Sequence, residues 1–60
     1  MTLTQADIDR YAPYHTMPAF EVGYNDYGRF MNDHYGDGGV DQQAYDRGAE
    51  CAMRHQRERT

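Results

Sequence analysis

Large aliphatic side chains are nearly missing from this chain: Leu3, Ile8, Val22 and Val40 are all of them. With Phe20 and Phe30 they make six of 60 residues, a share that usually accompanies disorder. A purely aliphatic core is therefore excluded, and six tyrosines and four methionines must supply most of what is buried. Serine is absent, so no serine nucleophile exists. Lysine is absent too, and all six cations are arginines. Cys51 is the one cysteine, which excludes an internal disulfide framework and fits a reducing compartment. No apolar run approaches the roughly 20 residues of a membrane span. The first residues lack the charged start and apolar stretch of a signal peptide. The expectation is an intact cytoplasmic protein of a bacterial host, folded as one small domain over 1–60. A domain this small buries only about 60% of the surface its unfolded chain exposes. Self-association would add buried area, so a homodimer is one expected partner state.

Charge is what the chain does have. Ten acids against six arginines give a net charge of -4. Residues 1–46 hold eight acids and two bases, whereas 47–60 hold two acids and four bases. The pattern is an acidic body with a mildly basic tail. Direct DNA binding is not expected of it, because affinity for phosphate rests on neutralisation by cations.

Thr4 is placed to cap a short helix over 5–11, which Pro13 stops. Pro18 suits the first turn of a second helix. From there Phe20, Tyr24, Tyr27 and Met31 recur at helical spacing and predict a helix at about 18–31, with Gly23 and Gly28 inside it. Residues 32–40 are rich in Asn, Asp and Gly and read as a loop. Asp41 is placed to cap a third helix at about 41–57, with Tyr45, Gly48 or Ala49, Ala52 and Gln56 facing inward. The fold class is thus all-α: a helical hairpin with a short N-terminal helix.

The two longer helices share a pattern. Ala19, Phe20, Glu21, Gly23 and Arg29 align with Ala44, Tyr45, Asp46, Gly48 and Arg54, always 25 residues apart. Aromatic and glycine, three apart, share a helix face. In an antiparallel pair the aromatic of one helix lies over the glycine of the other, about an approximate two-fold axis. These residues, with the loop from Asn32 to Tyr35, resemble the ribosome modulation factor family over about residues 18–57. That resemblance implies a two-helix scaffold and binding to the ribosome. The family is basic, however, and has proline in the loop where this chain has His34.

Cys51 and His55, four apart on one helix, are the nearest approach to a metal pair. Tetrahedral zinc needs two further ligands, for which His15, His34 or an Asp are candidates, and no second close pair exists. The expectation is no metal. Asp33, Asp37 and Asp41 lack the alternating ligands and closing Glu of a calcium loop. Gly36 to Gly39 lack the Gly-Lys-Ser/Thr ending of a phosphate loop. No cofactor and no catalytic residue is expected, and the protein reads as a non-enzyme.

What remains is an acidic face. Glu21, Asp26, Asp33, Asp37, Asp41 and Asp46, with Tyr35 among them, are the expected partner-binding residues. Such a face suits a basic surface that normally holds DNA or RNA. The expected function is a phage-type, anti-CRISPR-like inhibitor that blocks a nucleic-acid-binding host complex. The alternative implied by the resemblance is ribosome binding, with Arg47, Arg54, Arg57 and Arg59 on RNA phosphates.

Overall fold

A computed structural model describes residues 2–32 and 34–59, apart from the side chains at 37 and 38. Three α-helices follow one another: α1 (Gln5–Tyr11), α2 (Pro18–Asp26) and α3 (Val40–Arg59). Single 3-10 turns at Tyr14–Thr16 and Tyr35–Gly38 lie in the connections. The described residues contain no strand, and none of their helices is long and apolar enough to cross a membrane. The all-α expectation holds.

Helix α1 begins as its sequence dictates. The Thr4 hydroxyl accepts from the Asp7 backbone N–H at 3.2 Å, and the Asp7 carboxylate accepts from the Thr4 N–H at 3.1 Å. This reciprocal pair satisfies two donors that a helix start otherwise leaves free. We expect Thr4→Ala to cost about 1 kcal/mol. A thermal melt followed by circular dichroism should register this as a fall of roughly 4–8 °C in Tm.

Helix α2 opens with Pro18 at its first position, as expected, but it ends at Asp26 and not near Met31. Tyr27 turns extended and Gly28 adopts φ +82°, a left-handed conformation that ends a helix. Of the apolar stripe, Phe20 is buried, Tyr24 and Tyr27 are half-buried, and Met31 is exposed. Helix α3 is longer than expected and starts at Val40, so Asp41 sits inside its first turn and does not cap it. An acid there still favours the helix through its dipole. On its inner face Tyr45, Gly48, Ala49 and Ala52 are buried, but Gln56 is exposed.

The 25-residue repeat becomes the central packing contact. Gly23 lies against the backbone of Tyr45, and Gly48 lies against the backbone of Phe20 and Tyr24. Each glycine therefore meets the main chain of the other copy's aromatic residue. The ring-over-glycine contact is thus replaced by a closer approach. Around this crossing Tyr11, Ala19, Phe20, Ala44 and Cys51 form the core, with Leu3, Tyr14, Met17, Tyr24 and Tyr35 packed on it. Tyrosines and small residues do the work that aliphatics do elsewhere. Tyr11 and Phe20 pack as tilted rings 5.6 Å apart, and the Tyr14 hydroxyl donates to Gln43 Oε1 at 2.6 Å.

Candidate functional site

Two polar networks hold the helices to one another. The first joins α1 to α3. His55 Nε2 lies 2.8 Å from Asp7 Oδ2, across 48 residues of sequence. On the other side of the ring, His55 Nδ1 lies 2.8 Å from the Tyr24 hydroxyl on α2. Cys51 Sγ, one turn before His55, approaches the same Nε2 at 3.6 Å. With Asp7 ionised, Nε2 carries the proton toward it, and in the neutral ring Nδ1 accepts from Tyr24.

Burial opposes ionisation of Asp7, but the hydrogen bonds from His55 and Thr4 outweigh it and hold the carboxyl below its ordinary 3.8. Cys51 is fully buried. Burial first, and the Asp7 charge next, push its thiol up to about 11. Such a thiol stays protonated near neutral pH and is a poor nucleophile. The ring geometry also does not suit a thiol–imidazole–carboxylate relay. In such a relay the nucleophile and the carboxylate face opposite ring nitrogens, whereas here both face Nε2.

The second network closes the end of α2. The fully buried Tyr45 donates its hydroxyl proton to Asp26 Oδ2 at 2.6 Å. The Tyr45 hydroxyl oxygen in turn accepts from the Asn32 backbone N–H at 2.9 Å. Tyr35 stacks on Tyr45 with ring centroids 4.9 Å apart. These contacts pin the chain where it leaves α2 and where it enters the turn before α3.

This network changes the expected acidic face. Asp26 is half-buried and engaged by Tyr45, and Tyr35 is half-buried beneath its stack. Both are therefore part of the fold and not a free binding surface. Glu21, Asp41 and Asp46 are exposed, and Asp46 accepts from Gln42 at 3.0 Å. Asp33 and the side chain of Asp37 lie outside the described residues. Of the arginines, Arg47, Arg57 and Arg59 are exposed on α3. Arg54 is half-buried and lines an open groove with Thr4, Asp7, Arg10 and Glu58.

One surface feature escaped the sequence reading. Phe30 is 80% exposed, and Val40 is 59% exposed. Met31 beside Phe30 is also turned outward. In a chain so short of large apolar side chains, leaving Phe30 outside is costly to the core, and helical spacing gave no signal for it. Asp7 is the other omission. Its role as the partner of His55 depends on a contact between the two ends of the chain.

No family model, no curated protein and no solved structure matches this chain. The ribosome modulation factor resemblance therefore stands on the quoted residues alone.

Proposed function

We propose that this protein is a non-enzymatic binding module that docks on a basic, nucleic-acid-binding surface of a bacterial host complex and blocks it. The observation that carries this reading is Phe30, 80% exposed in a loop between acidic segments. Protein interfaces commonly combine an aromatic anchor with a polar rim. Here Phe30, Met31 and Val40 would supply the anchor. Glu21, Asp41 and Asp46 would supply the rim and steer encounter with a cationic partner. The acidic loop positions Asp33 and Asp37 belong to the same proposal. This is the anti-CRISPR-like mode of action, in which carboxylates take the place of a nucleic-acid backbone, and a cytoplasmic location is part of the same proposal.

The test is a pull-down from bacterial lysate with nuclease present, comparing wild type with Phe30→Ala and with a triple Glu21→Arg, Asp41→Arg, Asp46→Arg variant. A nucleic-acid-binding protein retained by wild type should be lost from both variants. For the purified pair, Phe30→Ala should raise Kd about tenfold or more, and the triple variant should mainly slow association. Unchanged Kd in both variants, with helical content intact, would overturn the proposal.

The reciprocal glycine crossing favours a second reading, because a two-helix scaffold is what the family resemblance implies. In that reading the basic end of α3, with Arg47, Arg54, Arg57 and Arg59, contacts ribosomal RNA. Retention of ribosomal proteins that nuclease abolishes, and that alanine at these four positions also abolishes, is its expected result.

A further inference from the structure

We propose that Asp7, Cys51 and His55 form a zinc site that clamps α1 to α3. Three ligand types that zinc commonly uses converge here: a carboxylate oxygen, a thiol sulfur and an imidazole nitrogen. Their ligating atoms all lie within 4.8 Å of one another. Bond lengths of about 2.0–2.3 Å at tetrahedral angles place ligand atoms about 3.4–3.6 Å apart. Cys51 Sγ and His55 Nε2 already stand at 3.6 Å. The Asp7 to His55 contact, at 2.8 Å, must open by about half an ångström on the same tetrahedral geometry, and the Asp7 carboxylate and Cys51 Sγ, which lie within 4.8 Å of each other, must settle at about 3.5 Å.

The surroundings suit the ion. Tyr24 holds His55 Nδ1, which leaves Nε2 facing the other two ligands. When Nε2 gives its proton up to bind a metal, Nδ1 takes the hydrogen and donates to the Tyr24 oxygen, which can accept as well as donate. A hydrogen bond of this kind, fixing the tautomer of a ligating imidazole, is a regular feature of zinc sites. The two acidic ligands, thiolate and carboxylate, balance the charge of a divalent ion. A bound cation also reverses the local electrostatics, so that the thiol held protonated beside Asp7 is deprotonated on coordination. Asp7 borders the open groove lined by Thr4, Arg10, Arg54 and Glu58, through which solvent reaches the carboxylate and fills the fourth position.

The test uses the full chain without any histidine tag. Cobalt(II) is added under reducing conditions as a spectroscopic probe, then displaced with zinc. We expect one equivalent of cobalt to give a thiolate-to-metal charge-transfer band and the intense visible bands of four-coordinate cobalt, both erased by zinc. Cys51→Ser should abolish the charge-transfer band, and Asp7→Asn should weaken binding. Tyr24→Phe, which keeps all three ligands, should weaken it about tenfold to a hundredfold. Zinc should raise the Tm of wild type and leave that of Cys51→Ser unchanged. Circular dichroism of each variant separates loss of the site from loss of the fold. A wild type without the charge-transfer band, or a Cys51→Ser variant that keeps it, overturns the proposal and leaves the cluster a hydrogen-bonded tie.

Discussion

Gly48→Ala should unfold this protein at room temperature. A Cβ at that position would overlap the carbonyl oxygen of Phe20 and fall 2.8 Å from its carbonyl carbon and 2.9 Å from the Tyr24 nitrogen. Side-chain Cβ atoms essentially never come within 3.0 Å of a non-bonded heavy atom outside their own stretch of chain. The obstacle is backbone on a neighbouring helix, so no rotamer change relieves it, and α2 and α3 must separate. Overpacking costs about 1–3 kcal/mol where side chains can adjust, and more where they cannot. A 60-residue domain has only about 3–9 kcal/mol of stability in total. Gly23→Ala meets the same barrier on the Tyr45 backbone and should behave alike. Far-ultraviolet circular dichroism checks both, with Gly39→Ala as the control. A Cβ at Gly39 would stand 3.7 Å from its nearest neighbour, at ordinary contact distance. If Gly48→Ala melts within a few degrees of wild type, the helix crossing described above is wrong.

The second large effect is the dependence of stability on pH, and its sign differs at the two ends. Asp7 titrates below its ordinary 3.8 in the folded chain, so the unfolded chain takes up the proton first. The stability it contributes is complete above 3.8 and is lost as pH falls through the lower, folded value. Cys51 is raised from 9.0 to about 11, chiefly by burial. Tyr11 is raised from 10.0 to about 12 by burial and the nearby Glu50 charge. In these two cases the unfolded chain loses the proton first. Their contributions are complete below 9.0 and 10.0 and fade as pH rises through about 11 and 12. Each is on the order of 2 kcal/mol. Urea titrations across pH should give a plateau through neutrality with losses on both sides. Asp7→Ala should lower the plateau by roughly 2 kcal/mol, the scale of a hydrogen bond to a charged group, and remove much of the acid limb. Cys51→Ala should shift the start of the alkaline limb toward the Tyr11 range. An acid limb identical in Asp7→Ala and wild type would show that the contact with His55 contributes nothing to folding.

Several of these features were legible in the sequence because they are local or periodic. Thr4 caps the residues directly after it, and Pro18 fixes its own turn. The aromatic-to-glycine spacing repeats on both long helices and marks the faces that meet. Handedness of a glycine is not written in spacing. Gly23 and Gly28 look alike in the pattern, yet one admits a neighbouring backbone while the other, at φ +82°, ends the helix. For that reason the apolar stripe in the sequence extends to Met31, beyond the end of the helix at Asp26. The site residues divide in the same way. Cys51 and His55 could be paired from their spacing, but Asp7 joins them only through tertiary folding. Asp26 and Tyr35 read as part of the acidic face because sequence shows their chemistry and not the Tyr45 side chain that engages both.

The reciprocal crossing of α2 and α3 is indifferent to which molecule supplies each helix. Gly23 accepts a backbone carrying Tyr45, and Gly48 accepts one carrying Phe20, whether the partner helix is tethered or arrives from a second copy. The contact that closes one chain on itself would equally close two chains on each other, by exchange of α3 about the segment at 27–39. The tether sets the balance. A short connection holds its ends at an effective concentration on the order of millimolar. Closure within one chain is therefore the expectation for dilute protein, and exchange would need crowded or concentrated conditions. A swapped pair would carry two copies of Phe30 and two sets of acids, and so would meet a repetitive partner with the avidity of two sites.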